Sequence, residues 1–171
     1  RRYDGSTAAY IGVLADDGAG LHFASALREE GVDISRVRVM HGVSARNYIE
    51  LDEAGARHFV GNNGRETAQY QALLCLTPGD YAMMEQYDLA HTSIHSWLDA
   101  YHPAISRRVP LSLDFSGEYD RVNIAQLCPL LRFAFFSGGA ASEEEVRALA
   151  RTALDAGART VVVTMGVRGS Y

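Results

Sequence analysis

Between Leu89 and Thr164 short apolar runs alternate with helix-patterned segments, and that alternation leaves few folds open to the chain. Leu89 to Ile94, Leu111 to Phe115, Phe133 to Phe136 and Thr160 to Thr164 read as strands, the last a Thr-Val-Val-Val-Thr run without a polar face. Strands apolar on both faces belong in a parallel sheet covered on two sides. Trp97 to Ser106 and Val122 to Leu131, the latter interrupted or ended by Pro129, read as helices between them. The best-marked helix follows Ser142-Glu143-Glu144-Glu145, a capping box, with Val146, Leu149, Ala150, Ala153 and Leu154 at helical spacing and Gly157 as its stop. The expected fold is α/β, a doubly wound, mostly parallel sheet flanked by helices.

Upstream, Ala8 to Leu14 reads as a buried strand, and Leu21, Ala24 and Leu27 mark one face of a helix closed by Gly31. The pattern then changes. Ser44 to Leu51 and Ala56 to Val60 flank Asp52-Glu53-Ala54-Gly55 as a hairpin. Arg46, Tyr48 and Glu50 alternate along its first strand, so neither face reads as buried core, and residues 37–64 are expected to project from the main sheet as a small β lid. Thr77-Pro78-Gly79-Asp80 opens a further short helix, with Thr77 as N-cap and Pro78 in the first turn.

Composition narrows the function classes. The 171 residues are 47% hydrophobic and 22% charged, ordinary for a globular domain with a sizeable core. The net charge is −5, and no basic block exceeds the pairs Arg1-Arg2 and Arg107-Arg108, so a nucleic-acid partner lacks its electrostatic footprint. Cys75 and Cys128 are widely spaced in apolar contexts, which favours reduced core thiols and a cytoplasmic setting over a disulfide framework or a zinc site. No apolar run approaches the roughly 18 residues of a membrane span. The opening Arg1-Arg2-Tyr3-Asp4 has neither an initiator Met nor a signal-peptide core, and the chain is expected to be a piece of a longer protein.

Several constellations bear on chemistry. Gly12 to Gly20 sits at a strand-to-helix turn where backbone amides can cradle a phosphate, but Phe23 occupies the third glycine position of a dinucleotide fingerprint, and no Gly-Lys-Ser/Thr follows. Glycines serving a tight turn, with Asp16 and Asp17 favouring the helix N-terminus, are the simpler reading. His91 and His95 share a face of a strand but lie about 13 Å apart along it, too far to chelate one ion. His95 falls at the strand's C-terminal end, where open α/β sheets gather ligands. Asp114 points to the same edge, as a catalytic acid or as the cap of the following turn. Thr164-Met165-Gly166-Val167-Arg168-Gly169 brings two glycines to that edge directly after the final strand.

Taken together, Ala9-Tyr10-Ile11-Gly12 through Asp16-Asp17-Gly18-Ala19-Gly20 and then Leu27-Arg28-Glu29-Glu30-Gly31-Val32-Asp33 resemble the G-x-x-G-x-D-x-x-G and L-x-x-x-G-V-D stretches of the ribokinase-like (PfkB) carbohydrate kinases. Val163-Thr164-Met165-Gly166-Val167-Arg168-Gly169-Ser170 is similar to their T-x-G-x-x-G loop. Gly31-Val32-Asp33-Ile34-Ser35, His41-Gly42-Val43-Ser44-Ala45, Leu113-Asp114-Phe115-Ser116 and Phe133-Ala134-Phe135 look most like the fructoselysine 6-kinase branch.

The resemblance implies transfer of the ATP γ-phosphoryl group, with Mg²⁺, to a hydroxymethyl of a sugar or fructosamine. It places Thr164, Met165, Gly166 and Gly169 along the adenine nucleotide, and Arg46, Asn62 and His95 against the sugar. A guanidinium at Arg46 suits a substrate carboxylate or phosphate. It further implies a homodimer formed through the lid. The family's catalytic Asp, in a Gly-Ala-Gly-Asp signature, is expected beyond Tyr171, so no catalytic base is assigned here and residues 1–171 alone are expected to be inactive. The family's Asn-x-x-Glu motif has no Asn near Ser137 to Ala141, which leaves Glu143 to Glu145 as the nearby carboxylates and the metal ligands unassigned. The alternatives are another sugar kinase of the family, acting on fructose, ribose or 2-keto-3-deoxygluconate, and a non-catalytic nucleotide- or sugar-binding module. A dinucleotide-dependent oxidoreductase would rest on the Gly18-x-Gly20 turn alone.

Overall fold

A computed structural model describes residues 5–53, 55 and 57–171. Arg1 to Asp4, Ala54 and Ala56 lie outside the described residues, and with them the Arg1-Arg2 pair and two positions of the expected hairpin. The chain divides into two compact units, Arg1–Cys75 and Leu76–Tyr171.

The second unit carries the alternation. Strands β5 (Ala90–Ser93), β6 (Leu111–Asp114), β7 (Leu131–Ser137) and β8 (Thr160–Thr164) form one parallel sheet in sequence order. Helices α3 (Pro78–Met84), α4 (His102–Ser106), α5 (Ile124–Leu127) and α6 (Glu143–Asp155) precede or connect them. Leu111 and Leu113 of β6, Ala134 and Phe136 of β7 and Val163 of β8 are buried with Val146, Ala150 and Ala153 of α6. The rings of Phe115 and Phe136 stack at 4.5 Å. Burial of aliphatic and aromatic side chains on this scale is the main term that holds such a layer together.

The local signals are realised where capping chemistry sets them. Ser142 Oγ accepts from the Glu145 amide at 3.2 Å, while the Glu145 carboxylate accepts from the Ser142 amide at 2.8 Å. At the other end Gly157 takes φ +111°, and the Gly157 and Ala158 amides donate to Leu154 and Ala153 carbonyls, a Schellman closure. At α3 the Thr77 amide and hydroxyl both donate to the fully buried Asp80 carboxylate at 2.7 Å.

Two expected helices are shorter than their periodicity suggests. From Trp97 to Ser106 only the last five residues are α-helical, after a 3₁₀ turn at Asp99–Tyr101. Pro103 lacks the amide that a helix begun at Trp97 would need, and it is accommodated only in a first turn. Likewise α5 stops at Leu127, Cys128–Leu130 tightens to a 3₁₀ turn around Pro129, and Leu131 already belongs to β7.

The first unit is thinner. β1 (Val13–Ala15) pairs in parallel with β2 (Arg38–Met40), a strand that no sequence signal marks, and a bridge at Ala9 and Asp33 extends the pairing upstream. Between them lies α1 (Gly18–Glu29), ended by Gly31 at φ +70°. Its expected inward face is only partly covered: Leu21 is 62% exposed, and Gly20 is the helix's buried residue. Gly20 is a steric requirement, because a Cβ there would overlap the Ala15 carbonyl. The hairpin is present as antiparallel β3 (Asn47–Leu51) and β4 (Arg57–Asn62), with a register shift between Tyr48 and Ile49. All of β3 is exposed and β4 nearly so, as the alternating polar pattern requires. A one-turn helix, α2 (Ala68–Gln71), follows.

The cysteines divide. Cys128 is a core thiol whose pKa burial pushes up to about 11, whereas Cys75, expected in the core, is exposed. Among the described residues no helix is long and apolar enough to cross a membrane.

Candidate active site

Where β8 ends, the C-terminal edge of the four-stranded sheet is formed by a backbone turn. After β8 the chain turns back on itself: the Met165 amide donates to Gly169 O at 2.8 Å, the Gly169 amide to Gly166 O at 3.0 Å, and Val163 and Tyr171 exchange two bonds at 2.9 Å. Gly166 and Gly169 take φ +59° and +88°, a region that L side chains rarely enter. A Cβ at either would find no heavy atom within 4 Å, so the outer side of the turn is open. Thr164 forms an isolated bridge with Ser170, and Met165 packs on the core from the turn's base. These four expected nucleotide residues, Thr164, Met165, Gly166 and Gly169, therefore lie together on one turn.

The neighbouring loop is tied to it. The Gly138 amide, just past β7, donates to Thr164 O at 2.8 Å, and a Cβ on Gly138 would press on Val163 Cγ1 at 2.9 Å. The Arg168 guanidinium reaches back to the Gly139 and Ala141 carbonyls at 2.8 and 2.7 Å. That cross-brace fixes the two loops relative to each other. Nothing in the local pattern announces it, because an Arg inside a Gly-x-x-Gly loop carries no partner signal.

Along the same edge Asp114 adopts its turn-capping role, accepting from the Ser116 amide at 2.7 Å. Ser116 sits at φ +54° and Trp97 at φ +53°, the two non-glycine residues with positive φ among those described. Both follow strand ends, of β6 and β5. For a residue as bulky as Trp this conformation is costly, and such strain concentrates at functional edges. His95 lies between β5 and Trp97, exposed on the 3₁₀ turn Ile94–Ser96, its amide held by Ser93 Oγ at 3.0 Å.

Glu145 is committed to the capping box, whose hydrogen bonds hold its carboxyl below the usual range, and Glu143 pairs with Arg147 at 3.4 Å. No group of three His, Cys, Asp or Glu among the described residues is arranged to hold a metal ion.

In the first unit the polar centre is Asp17. As N-cap of α1 it accepts from the Gly20 amide at 2.9 Å, and it also accepts from the Ser44 amide and hydroxyl. These bonds, led by the Ser44 hydroxyl, bring its pKa down to about 2. Arg46 stands 3.6 Å away with its charge turned toward this carboxylate. Arg46 and Asn62 both lie at the hairpin base without a bond between them: the Arg46 amide donates to Asn63 Oδ1 at 2.8 Å, while the exposed Asn62 stands opposite Asn47 and its Oδ1 accepts from Gly64. Asp16, next to Asp17, pairs with His41 at 2.8 Å, which lowers the carboxyl and raises the imidazole. His95 belongs to the other unit. The sequence marks Asp17 only as a helix-start acid, and its bonds to Ser44 depend on a contact 27 residues away.

A parallel four-stranded sheet flanked by helices gives the chain a ribokinase-like α/β fold. The ribokinase of Giardia lamblia superposes with a TM-score of 0.66 at 14% identity, over 95% of this chain and 54% of its own. The chain belongs to the pfkB family of carbohydrate kinases, whose family model matches residues 3–102. It is 35% identical to the fructosamine kinase FrlD of Bacillus subtilis over 97% of its length, and 36% identical to the fructoselysine 6-kinase of Escherichia coli over 92%. It spans 58% of the length of each.

Proposed function

We propose that this protein is an ATP-dependent kinase of fructosamines such as fructoselysine, phosphorylating a hydroxymethyl of the sugar. The observation that carries the reading is the open glycine turn at the sheet's C-terminal edge, in a chain more than a third identical to two kinases named for fructosamine substrates. Phosphoryl transfer asks a protein mainly for positioning and charge stabilisation. ATP supplies the phosphoryl group, and Mg²⁺ offsets the charge of its phosphates. Backbone groups of Thr164, Met165, Gly166 and Gly169 hold the adenine nucleotide, with Arg168 keeping the turn in place. The residues fit this role because main chain lies open at Gly166 and Gly169, where even a Cβ would meet no neighbour. Magnesium is held largely through nucleotide oxygens with one or two carboxylates, and of the glutamates opening α6, Glu143 and Glu145 already have partners.

Arg46 and Asn62 are proposed as sugar-recognising residues of the first unit, and His95 as one of the second. The exposed hairpin of residues 37–64 acts as a lid, and its outward Tyr48, Ile49, Leu51 and Phe59 support a homodimer through it. The setting is cytoplasmic, with a small molecule as the substrate. The test is a substrate comparison on the full-length protein: fructoselysine should be phosphorylated in preference to fructose, ribose and 2-keto-3-deoxygluconate. Preference for one of those would move the protein to another branch of the family, and absence of turnover on all of them would leave a binding module.

A further inference from the structure

At the end of the second unit's sheet remote from the glycine turn, four arginines stand around one depression. Arg107 and Arg108 precede β6, Arg132 is the second residue of β7, and Arg159 leads directly into β8. The depression has a volume of about 360 Å³, is walled by Pro110 and Pro129 as well, and has no acidic residue in its lining. The chain as a whole carries −5, so this concentration runs against its overall charge.

Arg108 is already engaged. It pairs with Glu85 at 3.4 Å, donates to Ala104 O at 2.8 Å and lies over the Tyr81 ring. Arg107, Arg132 and Arg159 make no ion pair with an acid among the described residues, and Arg132 only approaches the Phe133 ring at 5.9 Å. Three like charges held on one rim repel one another, and an anion placed between them relieves that repulsion. Guanidinium forks match phosphate oxygens in pairs, which makes Arg the side chain of choice for phosphate groups.

We propose that this depression binds a small polyanion carrying two or more phosphate groups. The site is separate from the glycine turn, since the seven residues of β7 put it about 20 Å from Gly138 at the usual strand rise. The inference does not rest on the kinase reading.

The test uses full-length protein and inorganic pyrophosphate as the probe. A non-hydrolysable ATP analogue is added first at one equivalent, enough to fill the tighter nucleotide edge and leave the arginine depression free. Pyrophosphate is then titrated by calorimetry into the analogue-loaded protein at low salt. Saturable binding is expected, weakened by added salt and by at least about tenfold in the double variant Arg132→Ala/Arg159→Glu. Arg159→Lys keeps the charge and should lose less. An unchanged melting temperature and circular dichroism spectrum in these variants would show the fold intact. Undiminished pyrophosphate binding in the double variant, or no saturable binding to the loaded protein, would overturn the assignment. So would tighter binding of a poly-glutamate peptide at the same arginines, which would make the occupant an acidic chain.

Discussion

The two units are held together by different physics. In the second, Phe115, Phe136, Leu111, Leu113 and Val163 are all but inaccessible, and α6 is seated on them through Val146, Ala150 and Ala153. In the first, the hairpin leaves Ile49, Leu51 and Phe59 outside, and the order at its base comes from Asp17, Ser44 and Asn63. A packed sheet can hold a backbone turn rigidly for a nucleotide. A hairpin anchored by polar bonds at one end can change its surroundings without unmaking a core, the property a lid needs.

The sharpest way to break this contrast is through the core. Phe136→Ala should cost about 3–5 kcal/mol in a denaturant titration, as the removal of a stacked, buried ring does. A loss below a third of that would mean the sheet does not depend on its aromatic layer. Gly20→Ala should cost about 1–3 kcal/mol, because α1 must shift away from the Ala15 carbonyl to admit a Cβ.

Acid should separate the units. The Asp17 carboxyl titrates at about 2, below its ordinary 3.8, so its stabilisation is present above the unfolded value and is lost as pH falls through the folded one. Hydrogen exchange at β1, β2 and the hairpin base should therefore quicken between these two values, ahead of β6 and β7, and Asp17→Asn should remove that extra acid sensitivity. Equal protection in both units across that window would dissolve the contrast. The smallest effect is expected from Leu73→Ser, at a side chain 55% exposed, which should alter stability by no more than about 0.5 kcal/mol.

The contrast also explains what could be read in advance. Strands apolar on both faces, the Ser142 capping box and the glycine stops are local signals, and the parallel sheet with α6 followed from them. The helix length expected around Pro103 exceeds what forms because apolar periodicity continues where the backbone cannot, whereas Pro129 marks the break after Leu127. Inward burial at Leu21 and a core position for Cys75 failed for a related reason, since apolar pattern says which side chains prefer cover and not which receive it. At the glycine turn the residues were legible, but the Arg168 brace and the Asp17–Ser44 bonds join segments far apart in sequence, where no periodicity reports. Strain at Trp97 has no sequence signature at all.

The most direct measurement divides the labour of the two regions kinetically, on full-length protein with ATP and fructoselysine. Gly166→Val places a branched side chain where φ is positive, and should raise KM for ATP by about tenfold or more while leaving KM for the sugar near its original value. Arg46→Ala should do the reverse. If Gly166→Val leaves KM for ATP unchanged, or if both variants act on the sugar alone, the glycine turn is not the nucleotide edge and the central assignment fails.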